Sequence, residues 1–411
     1  MARSVLYTAA HGGFAGQPIP LGGGAAVCNM LTDEWSRTHP FSFQVLGPAI
    51  LGDLAPTGAE LVRFSEMRYA RFCRQFEKAC SEEVLRHDPK TTVVLANDIS
   101  EGPDFRTLQE RGFPIYTIYH VDVVAYVAAM YGKGLLKPET LVRWWDRLDL
   151  VLPMPDVLKL VFEKQKRSVV HSRGLIVPSE GMREILERCY PKEARGKVHV
   201  MPWGVPAAVA HDEAAALAEA GRLREQYAIE PGTKVLLALS RISPEKGQDL
   251  LLEALQSWKG PELRVFICGG AAYMQGELHL RKLQKLARTL PAHVQVAFPG
   301  HVTGIRKQGF FSLADLYVFP SRHESYGLTL LEALQAGLPA VCFDHSGAQT
   351  VMRPEFGIMA QSGSTGSLRK SIQELLADDH RRKEMGKAAR EYARSQAFSA
   401  SAARLSALLL S

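Results

Sequence analysis

The chain has 411 residues, of which 46% are hydrophobic and 22% charged, with a formal net charge of +6. That length suits two domains of ordinary size, and the composition is that of a globular protein, which excludes disordered and fibrous classes. The charge is too slight to argue for nucleic acid and is compatible with acidic small molecules or an anionic membrane surface.

In chain order, Ser4–Ala10 reads as a first strand. It runs into Gly12-Gly13 and then Pro18-Ile-Pro-Leu-Gly-Gly-Gly24, and a helical pattern follows from Ala25 to Trp35. A strand feeding a glycine loop that opens a helix is how Rossmann-like halves bring backbone close to a phosphate, although three glycines alone read equally well as a flexible turn. Apolar runs at Phe43–Leu46, Thr92–Ala96, Ile115–Tyr119, Leu175–Val177 and Val198–Met201 alternate with helical patterns, as in a doubly wound parallel sheet. Glu60–Leu85 is the longest predicted helix. Val62, Tyr69, Phe72, Cys73 and Phe76 share one face, and Arg63, Arg68, Arg71, Arg74 and Lys78 another. A solvated basic face is the plain reading; the sharper one is a surface for an anionic acceptor or lipid headgroups, with Arg68 and Arg71 on the acceptor side.

Tyr119-His120-Val121-Asp122 ends an apolar run, where open α/β sheets place ligand-binding residues. Met130–Arg173 is predicted helical, with Trp144-Trp145 expected in the core. Ala207–Gly221 reads as a helical connector. The alternation then restarts with a strand at Lys234–Arg241, a loop at Ile242–Gly247 in which Ser243 is a candidate N-cap, and a helix at Gln248–Ser257. Strands follow at Arg264–Gly270 and at Val294–Phe298, the latter ending in Pro299-Gly300-His301.

Leu316–Phe343 organises the second half. Leu316–Phe319 is a short buried strand, Pro320–Tyr326 a loop, Gly327 opens a helix carrying Leu328, Leu331 and Leu334, and Ala340–Phe343 is the next strand. The free N–H groups of Tyr326–Thr329 would attract an anion, phosphate in particular. Glu332 lies about one and a half turns further in. It could accept a hydrogen bond from a sugar hydroxyl, and Glu324, before the helix, from a second one. One helix end would thus hold a sugar–diphosphate–ribose.

Ala314-Asp315, Pro320-Ser321, Glu324-Ser325-Tyr326-Gly327-Leu328 and Glu332-Ala333 resemble the signature of the family-4 retaining glycosyltransferases, the group 1 glycosyl transferases of GT-B fold. The resemblance spans nearly the whole chain, is specific from Val235 to Ala360 and loose from residue 36 to 170. It implies two Rossmann-like doubly wound domains facing a central cleft. Residues 1–205 would form the acceptor domain and 206–389 the nucleotide-sugar donor domain, with a last helix at about 390–411 packing back on the first. The implied reaction moves a hexose-type sugar, with retention, from a nucleotide-diphosphate sugar to an acceptor hydroxyl, in glycan, glycolipid or small-metabolite glycoside synthesis.

The resemblance also implies roles. His120 lies near the transferred sugar, with Asp122 beside it on the acceptor side. Gly22, Gly23 and Gly24 are candidates to face the diphosphate. Arg241 and Lys246 grip it, and His301 and Val302 meet the base. Ser325, Tyr326, Gly327 and Leu328 bind the donor at the helix end, Glu324 orients the sugar and Glu332 the ribose. No general base is assigned, since the leaving phosphate can take the acceptor proton. The chain departs from the family pattern at Trp203 and Pro206, where Asn and Asp are usual, and at Ser346–Thr350, which lacks the usual glutamate. A sugar-nucleotide-binding protein without turnover is the alternative those departures allow. No cofactor or metal is expected beyond the donor substrate, because no Asp-x-Asp adjoins a donor strand. Nucleic acid is not an expected partner; peripheral contact with an anionic membrane is. The six cysteines are scattered without a C-x-x-C pair, the opening MARSVLYTAAHGG is too short and broken for a signal peptide, and no apolar run could span a bilayer, so a cytoplasmic location is expected.

Overall fold

A computed structural model describes residues 4–12, 22–125, 128, 137–151, 155–205, 213–271 and 276–411. The chain divides into two compact units, Met1–Trp203 with Ser399–Ser411, and Gly204–Phe398.

The first unit is built on a six-stranded sheet of β1 (Ser4–Thr8), β2 (Ser42–Leu46), β3 (Thr92–Ala96), β4 (Ile115–Ile118), β5 (Gly174–Val177) and β6 (Val198–Val200), in the order β2-β1-β3-β4-β5-β6. Every pairing is parallel. The inner strands β3, β4 and β5 are buried along their whole length, which is why they read as unbroken apolar runs, whereas the edge strands β2 and β6 are partly exposed. The last helix, Phe398–Leu410, is fixed to this unit: the Trp35 indole N–H donates to Ser406 Oγ at 3.0 Å, and the Ser401 hydroxyl donates to the Pro202 carbonyl at 2.7 Å.

The second unit has β7 (Lys234–Leu239), β8 (Leu263–Cys268), β9 (Val294–Gly300), β10 (Leu316–Phe319), β11 (Ala340–Phe343) and β12 (Gly357–Ala360), in the order β12-β11-β10-β7-β8-β9, again all parallel. Helices cover both faces. On β8, Val265 and Ile267 join Leu251, Leu283 and Leu368 in one core, while Phe266 turns the other way onto Phe310 at 5.1 Å between ring centroids.

Strand order reverses direction between β1 and β3 in the first unit and between β7 and β10 in the second. These are the two topological switch points, where open α/β sheets bind ligands beyond the carboxyl ends of their strands.

Four expectations are corrected, the last being that Trp144 lies in the core. Glu60–Leu85 is not one helix: Thr57 forms a capping box with Glu60 over Gly58–Leu61, and Ser65 then caps a second helix, Glu66–Val84. Residues 390–395 belong to the helix Asp379–Ser395, and the final helix starts at Phe398, because Val205 bridges the intervening strand-like turn: its N–H donates to Gln396 O, and its carbonyl accepts from Phe398 N–H. The connector predicted at Ala207–Gly221 is a helix from Glu213 to Gln226, with residues 206–212 outside the described part. Within Met130–Arg173 the helices are Pro138–Val151 and Asp156–His171, in which Trp145 stacks on Phe162 at 3.8 Å and Trp144 is exposed. No helix among the described residues is long and apolar enough to cross a membrane.

Candidate functional site

At the second unit's switch point the loops after β7 and β10 touch through their backbones. Gly247 has φ +65°, and a Cβ there would lie 1.9 Å from the Pro320 carbonyl oxygen, so only glycine allows the approach. Ser243 does not cap a helix with its side chain, as expected of it. Its hydroxyl donates instead to Glu245 at 2.6 Å, and Gly247 is the N-cap residue of Gln248–Leu255.

The loop after β10 is fastened by Arg322. Its guanidinium donates to both oxygens of Asp249, at 2.8 and 3.0 Å, and to the Pro244 carbonyl at 2.5 Å, while its backbone N–H donates to the Glu245 carbonyl at 2.8 Å. Asp249 is only 4% exposed and also accepts from Lys282 at 2.7 Å. Burial works to raise its pKa, but the hydrogen bonds and charges of Arg322 and Lys282 outweigh it and bring it to about 2.

This fastening sets Glu324 against Lys246. The ammonium donates to Glu324 Oε1, and the Ser321 hydroxyl donates to the same oxygen at 3.0 Å. Burial pushes the Glu324 carboxyl up, and the Lys246 charge and hydrogen bond overcome it, so it titrates below its ordinary value. From the other side, Gly347 packs so closely on Glu324 that a Cβ would meet its carbonyl oxygen at 2.4 Å. His345, two residues before that glycine, accepts the Ala348 N–H at 3.2 Å, and burial lowers its pKa to about 4. Arg241 stands at the start of the Lys246 loop, 3.9 Å from Glu245.

Ser325, Tyr326, Gly327 and Leu328 lead into the helix Leu328–Gln335, with Gly327 as its N-cap residue at φ +100°. Glu332, inside that helix, pairs with Lys307 of the helix Gly304–Leu313 at 2.8 Å. His301 is exposed and Val302 buried, just after Gly300 ends β9.

In the first unit, Gly22, at φ +97°, is the N-cap residue of the helix Gly23–Thr38, Gly23 is exposed, and Gly24 sits against His120 and Asp98. The preceding residues 13–21 lie outside the described part. Trp203, the residue in place of the linker asparagine, is buried with its ring 6.4 Å from that of His120. Asp122 is also buried: it accepts the Ala125 N–H at 2.8 Å and the Gln165 amide at 3.2 Å, which commits its carboxylate to local structure. Arg68 and Arg71 lie on the exposed face of Glu66–Val84, Arg68 pairing with Glu60 at 3.3 Å.

Lys307, Asp249 and Arg322 had no sequence expectation. Each acts across elements distant in sequence, which periodicity does not reveal. Arg322 alone carried a legible signal, since it stands beside Glu324 in the loop the sequence had singled out.

Residues 220–392 match the family model of glycosyl transferases group 1. The chain carries a glycosyl transferases group 1 domain. The family resemblance expected from the motifs is thereby borne out, and so is the expected GT-B class of two Rossmann-like domains. This chain is similar to the sucrose-phosphate synthase structure from Thermosynechococcus elongatus, with TM-score 0.74 and 17% identity over 99% of this chain and 98% of that one. It is also similar to Anabaena HepE, solved in complex with UDP and glucose, with TM-score 0.68 and 15% identity over 99% of both chains. In sequence it is 32% identical over 205 residues to the GDP-mannose-dependent alpha-(1-6)-phosphatidylinositol monomannoside mannosyltransferase of Mycobacterium tuberculosis, covering 48% of this chain and 51% of the relative. The chain thus spans about half the length of the curated relatives it matches.

The Asp249–Arg322 clasp in this group 1 domain gives a pH-dependent prediction. A carboxylate whose folded pKa is depressed adds stability above its ordinary value near 3.8 and loses it as pH falls towards about 2. That contribution is about 2 kcal/mol at pH 7 and about half of it at pH 3. The stability gap between wild type and Asp249→Asn, measured by denaturant unfolding, should therefore narrow by about 1 kcal/mol from pH 7 to pH 3. A gap that stays constant would separate Asp249 from the clasp.

Proposed function

We propose that this protein is a nucleotide-sugar-dependent glycosyltransferase that transfers a hexose-type sugar with retention and without a metal ion. The observation that carries the reading is the Lys246–Glu324 pair at the β7/β10 switch point, held in front of the helix that starts at Leu328. A site of this kind has its cation and its sugar-orienting carboxylate paired with each other until a ligand separates them. An entering diphosphate takes Lys246 as its partner. Glu324 is then released to accept from a hydroxyl of the donor sugar.

Departure of the nucleoside diphosphate needs positive charge. Arg241 offers a fork that can hold two phosphate oxygens, and Lys246 a point charge. The N–H groups of the helix Leu328–Gln335 add a third favourable end. These donors are fixed before reaction, the condition under which electrostatic stabilisation is strongest. Glu332, steadied by Lys307, accepts from the ribose hydroxyls, and His301 and Val302 flank the base. An oxocarbenium-like sugar forms as the diphosphate leaves. The acceptor hydroxyl attacks from the leaving-group side, and its proton passes to the departing phosphate, so no protein base is required. No cofactor beyond the donor enters this scheme.

The named activities of the relatives support an acceptor hydroxyl in a glycolipid or a small-metabolite glycoside. Contact with an anionic membrane fits the exposed Leu54 and Met67, which accompany the exposed Arg63, Arg68 and Arg71. Flotation with anionic vesicles should carry the protein upward, and salt should release it; equal recovery with neutral vesicles would remove the membrane from the account.

The catalytic reading is tested by nucleoside diphosphate release from a panel of nucleotide sugars. Lys246→Ala should lose roughly 10²–10³ in turnover, as expected for one preorganised donor. EDTA should leave the wild-type rate unchanged. A rate that collapses with EDTA and returns with magnesium would overturn the metal-free scheme.

A further inference from the structure

The loop after β11 brings to Glu324 a histidine that the scheme above leaves idle. His345 follows the strand Ala340–Phe343 by two residues. Its loop lies directly on Glu324: a Cβ at Gly347 would stand 2.4 Å from the Glu324 carbonyl oxygen and 2.9 Å from the Glu324 Cβ. The His345 ring is 6.1 Å between centroids from Phe319, the last residue of β10. Two other polar side chains of the loop are spent locally. Gln349 donates to Asp344 Oδ1 at 2.8 Å, and the Thr350 hydroxyl donates to the Ser346 carbonyl at 3.0 Å.

The His345 ring is only half used. Its Nδ1 accepts the Ala348 N–H at 3.2 Å and so caps the short helix Ser346–Val351. Burial lowers the pKa of the ring to about 4, so it is neutral at pH 7. A ring nitrogen that accepts carries no proton, and the proton of the neutral ring is therefore on Nε2. That atom is buried and has no hydrogen-bond partner among the described residues. A buried donor left unpaired costs stability, and native structures hold few of them. Burial and then Lys246 weigh most on the Glu324 carboxyl, and His345 also favours its ionised form.

Glu324 has a use for such a donor. Lys246 and Ser321 both donate to Oε1, and neither reaches Oε2. A diphosphate that takes Lys246 leaves a largely desolvated carboxylate with Ser321 as its remaining donor, and a desolvated charge without a partner is costly.

We propose that His345 is a positioning residue whose Nε2–H takes over the Glu324 carboxylate when a diphosphate takes Lys246. The inference rests on the glycosyltransferase reading and turns the release of Glu324 into a handover. The ammonium leaves, and an uncharged N–H replaces it. An uncharged donor orients the carboxylate without neutralising it, so Glu324 keeps its full charge for the donor sugar.

Asparagine and glutamine divide the two functions of the ring. In His345→Asn the amide oxygen stands where Nδ1 stood and keeps the cap, with nothing at Nε2. In His345→Gln the amide N–H stands where the Nε2–H stood, and the cap is lost. Calorimetry on the full chain uses UDP and GDP as probes. For the nucleotide that binds wild type, His345→Asn should bind about fivefold more weakly and His345→Gln within about twofold of wild type. The loss in His345→Asn should vanish in the Glu324→Gln background, where no carboxylate needs a new partner. Equal weakening in both backgrounds, as for a direct contact with the nucleotide, or no weakening in either, would overturn the proposal. A second readout needs no ligand. Lys246→Met removes the ammonium, so the His345 Nε2–H should then donate to Glu324 in the unliganded protein. NMR of the histidine-labelled variant should show a slowly exchanging, low-field ring N–H signal that wild type lacks. The signal should disappear in Lys246→Met/His345→Gln and in Lys246→Met/Glu324→Ala. Its absence from Lys246→Met, or its survival without Glu324, would overturn the handover. Failure of wild type to bind either nucleotide would instead count against the glycosyltransferase reading, and the NMR signal would still decide the role of His345.

Discussion

The approach of Gly247 to the Pro320 carbonyl is the constraint on which the second unit's site depends. It brings two loops from opposite sides of a sheet reversal into backbone contact. Everything chemically interesting follows from that closeness. Arg322 can reach Asp249 only because the loops touch, and Glu324 meets Lys246 only because Arg322 holds its loop in place. In the pair of opposite charges at this point each partner is partly desolvated and oriented. The Lys307–Glu332 pair follows the same logic one helix turn away.

The two units solve different problems with the same architecture. Both are six-stranded parallel sheets with a reversal next to their first strand. In the second unit the reversal gathers Arg241 and Lys246 with a helix start, a surrounding suited to phosphates. In the first it gathers Asp98, Glu101, His11 and His120, and the helix start there lies against a carboxylate.

Much of this was legible in the sequence. The buried inner strands are apolar on both faces, so their positions could be read within a residue or two. The spacing of Glu324, Gly327 and Glu332 placed them correctly around a helix start. What could not be read is set by contacts between distant segments. Lys307 reaches Glu332 across 25 residues and Arg322 reaches Asp249 across 73. Glu60–Leu85 misled because its hydrophobic period continues across the cap at Ser65, where a new helix begins without disturbing the pattern. Asp122 misled in the opposite sense. A carboxylate after a strand reads as a ligand group, yet this one is turned inward to Ala125 and Gln165. The residues after β1 and β3 were open to notice, since they end the two strands that flank the reversal, but their significance depends on strand order.

Partner exchange at Lys246 is the central claim, and nucleoside diphosphate affinity in Glu324→Gln tests it most directly. Removing the intramolecular competitor should leave Lys246 waiting for the phosphate. Calorimetry with the cognate nucleoside diphosphate alone should show tighter binding than wild type, by roughly fivefold, equivalent to about 1 kcal/mol, while sugar transfer by the same variant is lost. Unchanged or weaker diphosphate binding in Glu324→Gln would mean that Lys246 does not trade Glu324 for the donor, and the account would fail at its starting point.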